Sequence, residues 1–266
     1  MHESETVQVR RDGAVACVEM RRPEQRNAFT PAMIADLAAA FTALGTATDV
    51  RVILLSGAGP AFSAGADVGY MRTVAAAGPT ENLADARRLA GLFLAIRDCP
   101  KPVVARVHGA AVGGGAGLVA ASDIAVAAEG TRFAFPEVRL GILPAVIAPF
   151  VLPRIGLGAT RELFLTGERF DAARAAAIGL VARVVPEAGL DAAVAERIDA
   201  LLQGGPEAQA AVKALLPRLT GWDAGLVDLT GRLIAERRAS AEGREGLAAF
   251  LERRSPAWAP GAGRAA

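Results

Sequence analysis

The chain opens on two β-rich apolar runs, Thr6–Arg10 and Ala14–Met20, separated by Arg11-Asp12-Gly13, whose Asp-Gly pair signals a hairpin. A polar loop, RRPEQRNAFT, follows. Thr30 with Pro31 behind it has the form of a helix start, a capping hydroxyl and then proline at the first helical position. Met33, Leu37, Ala40, Phe41 and Leu44 recur at helical spacing until Gly45, which predicts the stop. Val50–Leu55 is a short continuous apolar run and reads as a buried strand. It leads into a long loop, SGAGPAFSAGADVGY. A helix is predicted from about Asn82 to Arg97, with Leu83, Ala86, Ala90, Phe93 and Leu94 on one face and Cys99-Pro100 as its breaker. Val103–Val107 reads as the next strand, a short helix runs to Ala121 after the triple glycine, and Ile124–Ala127 reads as another strand. From Ala159 onward the pattern is helical almost throughout, punctuated by Gly167, Gly179 and Gly204-Gly205. Strands joined through helices predict an α/β core followed by a helical tail.

Composition narrows the class. The 266 residues are 52% hydrophobic and 21% charged with a net charge of +1, which excludes intrinsic disorder and offers no global field for nucleic acid or an anionic membrane. Lysine occurs only at Lys101 and Lys213, and no basic stripe is present. Two cysteines, Cys17 and Cys99, exclude a disulfide scaffold. The apolar stretch Ile142–Leu152 is too short for a membrane span and contains Pro144 and Pro149. The polar start carries no signal-peptide core, so a cytoplasmic protein is expected. Two histidines and two cysteines, none close together, give no metal-ligand spacing.

Three constellations carry candidate chemistry. Gly113-Gly114-Gly115-Ala116-Gly117 lies between a strand and a helix, where bare backbone N–H groups favour negative charge. The dinucleotide pattern fails because Leu118 stands where its last glycine belongs, and no lysine completes a phosphate loop. Ala61-Phe62-Ser63-Ala64-Gly65 departs from a hydrolase elbow at Ala61, and only His2 and His108 exist as bases. Phe135-Pro136-Glu137-Val138 sets a carboxylate among apolar residues, where burial raises its pKa and suits it to proton transfer; a salt-bridged surface glutamate is the plainer alternative.

Taken in order, these motifs resemble the crotonase superfamily, the enoyl-CoA hydratase/isomerase family, over nearly the whole chain. RRPEQRNAFT resembles its N-terminal signature, AFSAGADV its first oxyanion loop, and VHGAAVGGGAGLVAASDIAVAAEGTRFAFPEVRLGILP its central signature. LTGERFDAARAAAIGLVARVV, PEAQAAVKALL and AFLERRSPAW resemble the segments that follow. The resemblance implies a spiral of ββα units, residues 1–200, and a helical trimerisation region, residues 201–266, in a homotrimer or a hexamer of paired trimers. It implies an acyl-CoA thioester substrate with coenzyme A as part of that substrate and no separate cofactor; no metal, nucleic acid or membrane partner is expected, on the ligand spacing, the scarcity of lysine and the short apolar stretches already noted.

By residue-for-residue match, the backbone N–H groups of Ala66 and Gly114 are the oxyanion donors, and Glu137 is the acid/base. Arg26, Ala28, Ala64, Gly65, Asp67, Val68 and Gly117 match positions at the substrate and CoA. Arg253 or Arg254 in the tail is matched to a CoA phosphate, Tyr70 to the acyl pocket or to packing, and Asp123 and His108 to structural roles. Hydratases of the family use two glutamates, and the first of them falls on Gly117 here. The run EVRLGILPAVIAPFVLPRIG looks closest to the branch that hydrates methylglutaconyl-type thioesters, where a carboxylate on the substrate would stand in for the missing one. On that idea Gly117→Glu should raise activity on straight-chain enoyl-CoA. Double-bond isomerisation through the same glutamate, acyl-CoA binding with weakened catalysis, and a serine hydrolase built on Ser63 are the alternatives.

Overall fold

The computed structural model describes residues 4–67, 69–70, 73, 79–140, 144–219, 241, 245, 254–255 and 257. Nine strands and seven α-helices stand among them. β1 (Val7–Asp12) and β2 (Val15–Met20) form the expected hairpin, with Asp12 opposite Val15. α1 (Pro31–Thr46) begins as its sequence dictates, the Thr30 hydroxyl accepting the Met33 N–H at 3.2 Å. Gly45 does not stop it; the helix closes one residue later.

β3 (Val52–Gly57), α2 (Pro79–Arg97), β4 (Val103–Val107), β5 (Ala110–Val112), α3 (Gly114–Ala121), β6 (Ile124–Ala128) and β7 (Arg132–Ala134) follow. α2 buries Leu92, Phe93 and Ile96, whereas Leu94, expected on the inner face, is exposed. The remainder is α4 (Ala148–Thr166), β8 (Arg169–Asp171), α5 (Ala172–Ala177), β9 (Arg183–Val185), α6 (Leu190–Leu202) and α7 (Pro206–Leu215). Two short strands therefore interrupt the stretch read as helical from Ala159. Arg154 and its neighbours belong to α4, which starts earlier than predicted and bends at Gly156.

The strands form two sheets. One runs β1-β2-β3-β4-β6-β9, antiparallel only at the β1/β2 hairpin; the other runs β5-β7-β8. Strand-to-strand returns through α1, α2 and α3 produce the parallel pairs, as α/β connectivity requires. The period of two sorts the strands' side chains. Ile53, Leu55, Val103, Ala105, Val107, Ala125 and Ala127 enter the main core with α1, α2 and α3; Val52, Val104, Val126 and Ala128 face α6 through Leu190, Ala193 and Val194. No helix among the described residues is long and apolar enough to cross a membrane. Of the expected C-terminal helical region, α7 and a short turn to Leu219 are described, and most of 220–266 lies outside the described residues.

Candidate functional site

The second sheet builds the site. β5 and β7 pair in parallel with Val112 opposite Ala134, so the residues that leave the two strands emerge side by side. From β5 these are Gly113 and Gly114; from β7, Phe135-Pro136-Glu137. The Gly113 N–H donates to the Ala134 carbonyl at 2.9 Å and locks the two exits together. Gly113 has φ +52, open to glycine at little cost, and it also leaves room for a neighbour. A Cβ there would stand 3.2 Å from Glu137 Oε1, so the carboxyl lies against the bare backbone at the start of α3.

Glu137 sits in a short 3₁₀ turn after β7 and is half-buried. Among the described residues its Oε2 is buried without a hydrogen-bond partner. Burial lifts its pKa above the ordinary 4.5, only partly offset by its own backbone N–H. The surface-glutamate alternative is overturned: Glu137 is half-buried and forms no ion pair among the described residues.

Ala66 comes from the loop after β3, which is tied on both sides. Ser63 bridges to Ala111 of β5, donating its N–H to Ala110 and accepting from Val112 at 3.0 Å each. On the other side the 22–29 segment runs alongside. Arg26 accepts from Ala64 N–H at 2.9 Å, and the buried Asn27 side chain donates to Ala58 and Ala61 at 2.8 Å each. The Phe29 N–H donates to Gly65 O at 2.6 Å, and Phe29 O accepts from Asp67 N–H at 3.0 Å. A trans peptide points its C=O and N–H in opposite directions. Because Gly65 O is held by Phe29, the Ala66 N–H of the same peptide is turned the other way. The logic repeats across the site. Gly113 O accepts the Gly117 N–H at 3.0 Å, so the Gly114 N–H of that peptide leads out of the helix start. Neither donor has an acceptor among the described residues. The loops touch: a Cβ on Gly65 would lie 2.6 Å from Val112 O and 3.6 Å from the Gly114 nitrogen.

The structure thus brings together Ala66, Gly114, Glu137, Ala64 and Gly65. Asp67 turns away from the donors. Burial opposes its ionisation, but the Tyr70 N–H, Arg22 and the Gly69 N–H outweigh this and hold its carboxyl below the usual range. Arg22, missed in the sequence, donates to Asp67 Oδ2 at 3.2 Å and to Ala28 O at 2.5 Å, strapping the two chain segments together. Arg26 (φ +50, side chain exposed) and the buried Ala28 belong to this brace, so the 22–29 segment supports the loop after β3 through its backbone. Val68 and Arg253 lie outside the described residues; Arg254 is paired with Glu245 at 2.7 and 2.9 Å.

Gly117 is buried rather than open to a ligand. A Cβ on it would stand 2.5 Å from Ile147 Cγ2 and 3.0 Å from Phe93 Cζ, and the Phe93 ring packs on Phe150 with centroids 5.4 Å apart. The place of the family's first glutamate is filled by hydrocarbon, and Gly117→Glu cannot simply restore it. The hydrolase reading also ends here. Ser63 is fully buried, its hydroxyl donates to Asn27 O at 2.9 Å, and His108 Nε2 is engaged with Gly59 O at 2.8 Å. Tyr70 lines a cavity of about 630 Å³ with Thr30, Asp67 and Asp85, and its hydroxyl donates to Asp85 at 2.5 Å. A second cavity, about 700 Å³ between α3, α4 and α7, contains neither Glu137 nor the two donors.

Residues 10–261 match the enoyl-CoA hydratase/isomerase family model. An enoyl-CoA hydratase from Shewanella pealeana superposes with a TM-score of 0.92 at 40% identity, covering 95% of this chain and 96% of that one. Pseudomonas aeruginosa AtuE gives 0.92 at 39% identity, covering 96% and 100%. The mevalonyl-coenzyme A hydratase sidH of Aspergillus fumigatus is 33% identical over 255 residues, 92% of each chain.

Proposed function

Because the chain belongs to the enoyl-CoA hydratase/isomerase family, we propose that it hydrates an enoyl-CoA thioester with Glu137 as its single acid/base. The observation that carries this reading is the Glu137 Oε2, buried without a hydrogen-bond partner among the described residues, on a carboxyl that lies beside the Gly113-Gly114 backbone. The thioester oxygen would sit between the Ala66 and Gly114 N–H groups. Glu137 would take a proton from water as its oxygen adds to the β-carbon. The electron pair would move through the α-carbon to the thioester oxygen, giving an enolate, and the same carboxyl would return the proton to the α-carbon. Each pre-aimed donor of this kind is worth about 3 kcal/mol of barrier, helped by the dipole of α3.

Isomerisation is the second reading, favoured by the packed hydrocarbon over Gly117. A single carboxylate suffices to carry a proton from the α- to the γ-carbon. Resemblance around 137–156 supports a methylglutaconyl-type substrate. Exposed Val212, Leu216 and Leu219 on and beyond α7 support self-association through residues 201–266 as a trimer or hexamer. A cytoplasmic location is part of the same reading.

The test is loss of the conjugated enoyl-thioester absorbance with crotonyl-CoA, a longer straight enoyl-CoA and 3-methylglutaconyl-CoA, repeated with Glu137→Gln. Glu137-dependent loss is expected, and the preferred substrate identifies the branch. No loss on any of the three, with CoA esters still bound, overturns hydration and leaves isomerisation or binding without turnover. A 3-enoyl-CoA then separates those two.

A further inference from the structure

We infer that Phe29 is a positioning residue that holds both oxyanion donors at their working separation, one through its backbone and the other through its ring. The inference rests on reading the Ala66 and Gly114 N–H groups as those donors.

The backbone half is the 2.6 Å bond from Phe29 N–H to Gly65 O, which turns the Ala66 N–H toward the site, backed by Asp67 N–H on Phe29 O. The ring half lies against the other donor. A Cβ on Gly114 would meet Phe29 Cε2 at 2.6 Å, Cδ2 at 3.1 Å and Cζ at 3.6 Å. The ring is 1% exposed and fills the space that any side chain at Gly114 would need. One residue therefore touches both peptide units, although they come from segments that are distant in the chain.

Phe29 is itself fixed from both sides. Behind it, Asn27 is anchored to Ala58 and Ala61, and Arg22 holds Ala28 O and Asp67 together. Ahead of it, Thr30 caps α1. A ring held so tightly resists displacement, because buried side chains are packed at crystal-like density. If the ring recedes, the first turn of α3 relaxes into the space and the Gly114 N–H swings away from the thioester oxygen. If a methyl group is added at Gly114, ring and helix are forced apart with the same result. The two defects are opposite in volume and should cancel when combined.

The experiment compares wild type, Phe29→Leu, Gly114→Ala and the size-swapped Phe29→Leu/Gly114→Ala. Hexanoyl-CoA labelled with ¹³C at its carbonyl is the probe, and difference infrared spectroscopy reads the C=O stretch, which falls when donors polarise the thioester. Wild type should lower the stretch on binding. Each single variant should return it part of the way to its solution value and lower kcat by roughly 10- to 100-fold, short of full loss of a donor, with KM changed by less than about threefold. The double variant should recover most of the shift and of kcat, the coupling expected of residues in contact. Phe29→Met replaces Phe29→Leu if the latter does not melt cooperatively.

An unchanged stretch in the Phe29 variant, or a double variant no better than the worse single, reduces Phe29 to ordinary packing and overturns the inference. No shift in wild type overturns the oxyanion reading itself, and the inference with it.

Discussion

The two ends of α3 each carry a half-buried carboxyl, and they are finished in opposite ways. Asp123, just beyond the C-terminal end, is surrounded by partners: the Val103 N–H at 2.7 Å, the Lys213 ammonium, and Arg154, which donates to the Asp123 backbone carbonyl at 3.0 Å. Cations gathered there also suit the negative end of the helix dipole. Glu137, beside the N-terminal end, has its Oε2 buried with no partner among the described residues. Burial pushes both carboxyls up, and at Asp123 it outweighs even these partners. Desolvation alone therefore does not mark a catalytic group. The distinguishing feature is an unspent hydrogen-bonding oxygen next to donors that are equally unspent.

If that contrast is right, Glu137→Gln should lower kcat by about 10²- to 10⁴-fold in the enoyl-thioester assay while the protein stays folded. Asp123→Ala should do the reverse. It leaves the Val103 N–H without its acceptor and Lys213 without its counter-ion, though still bonded to the Lys101 carbonyl, so stability should fall by about 2 kcal/mol in urea titration with kcat little changed. Comparable rate losses in the two variants would erase the distinction.

Gly117→Glu tests the middle of the same helix. The new side chain must displace Ile147 and Phe93, so a stability loss of about 3 kcal/mol is expected, with no gain on crotonyl-CoA. A stable, faster variant would show that the hydrocarbon wall yields.

The smallest effect is the pH dependence. Because the folded-state pKa of Glu137 is raised above 4.5, the group's favourable contribution to folding is complete below 4.5 and is lost as pH rises through the folded value. Glu137→Gln should therefore match or exceed wild type in thermal stability at pH 7, and the advantage should vanish on acidification. The acid limb of wild-type kcat/KM should lie above the range of an exposed glutamate.

What was legible in the sequence was what is encoded locally. Thr30-Pro31 announced α1, Asp12-Gly13 the hairpin, and the apolar run from Val103 a buried strand. β5, β7, β8 and β9 were not legible because three residues hold too little alternation to stand out, and Arg169–Asp171 is embedded in helix-forming sequence. Glu137, Ala66 and Gly114 are singled out by motif resemblance, not by periodicity. Arg22 and Phe29 escaped because their work depends on Asp67, Gly65 and Gly114, contacts that no local pattern encodes. The packing over Gly117 was hidden for the same reason, since Ile147 and Phe93 reach it from separate helices.

Both donors of the site are main-chain groups, and a main-chain N–H survives replacement of its residue by anything but proline. Genetic drift cannot easily delete these donors; it can crowd them out. A methyl on Gly65 would run into Val112 O, one on Gly114 into Phe29, and one on Gly115 into Ser63 O at 2.5 Å. Selection on these loops is therefore a filter on volume rather than on functional groups, and a lineage losing this activity by mutation there would show glycines growing before it showed any change of charge.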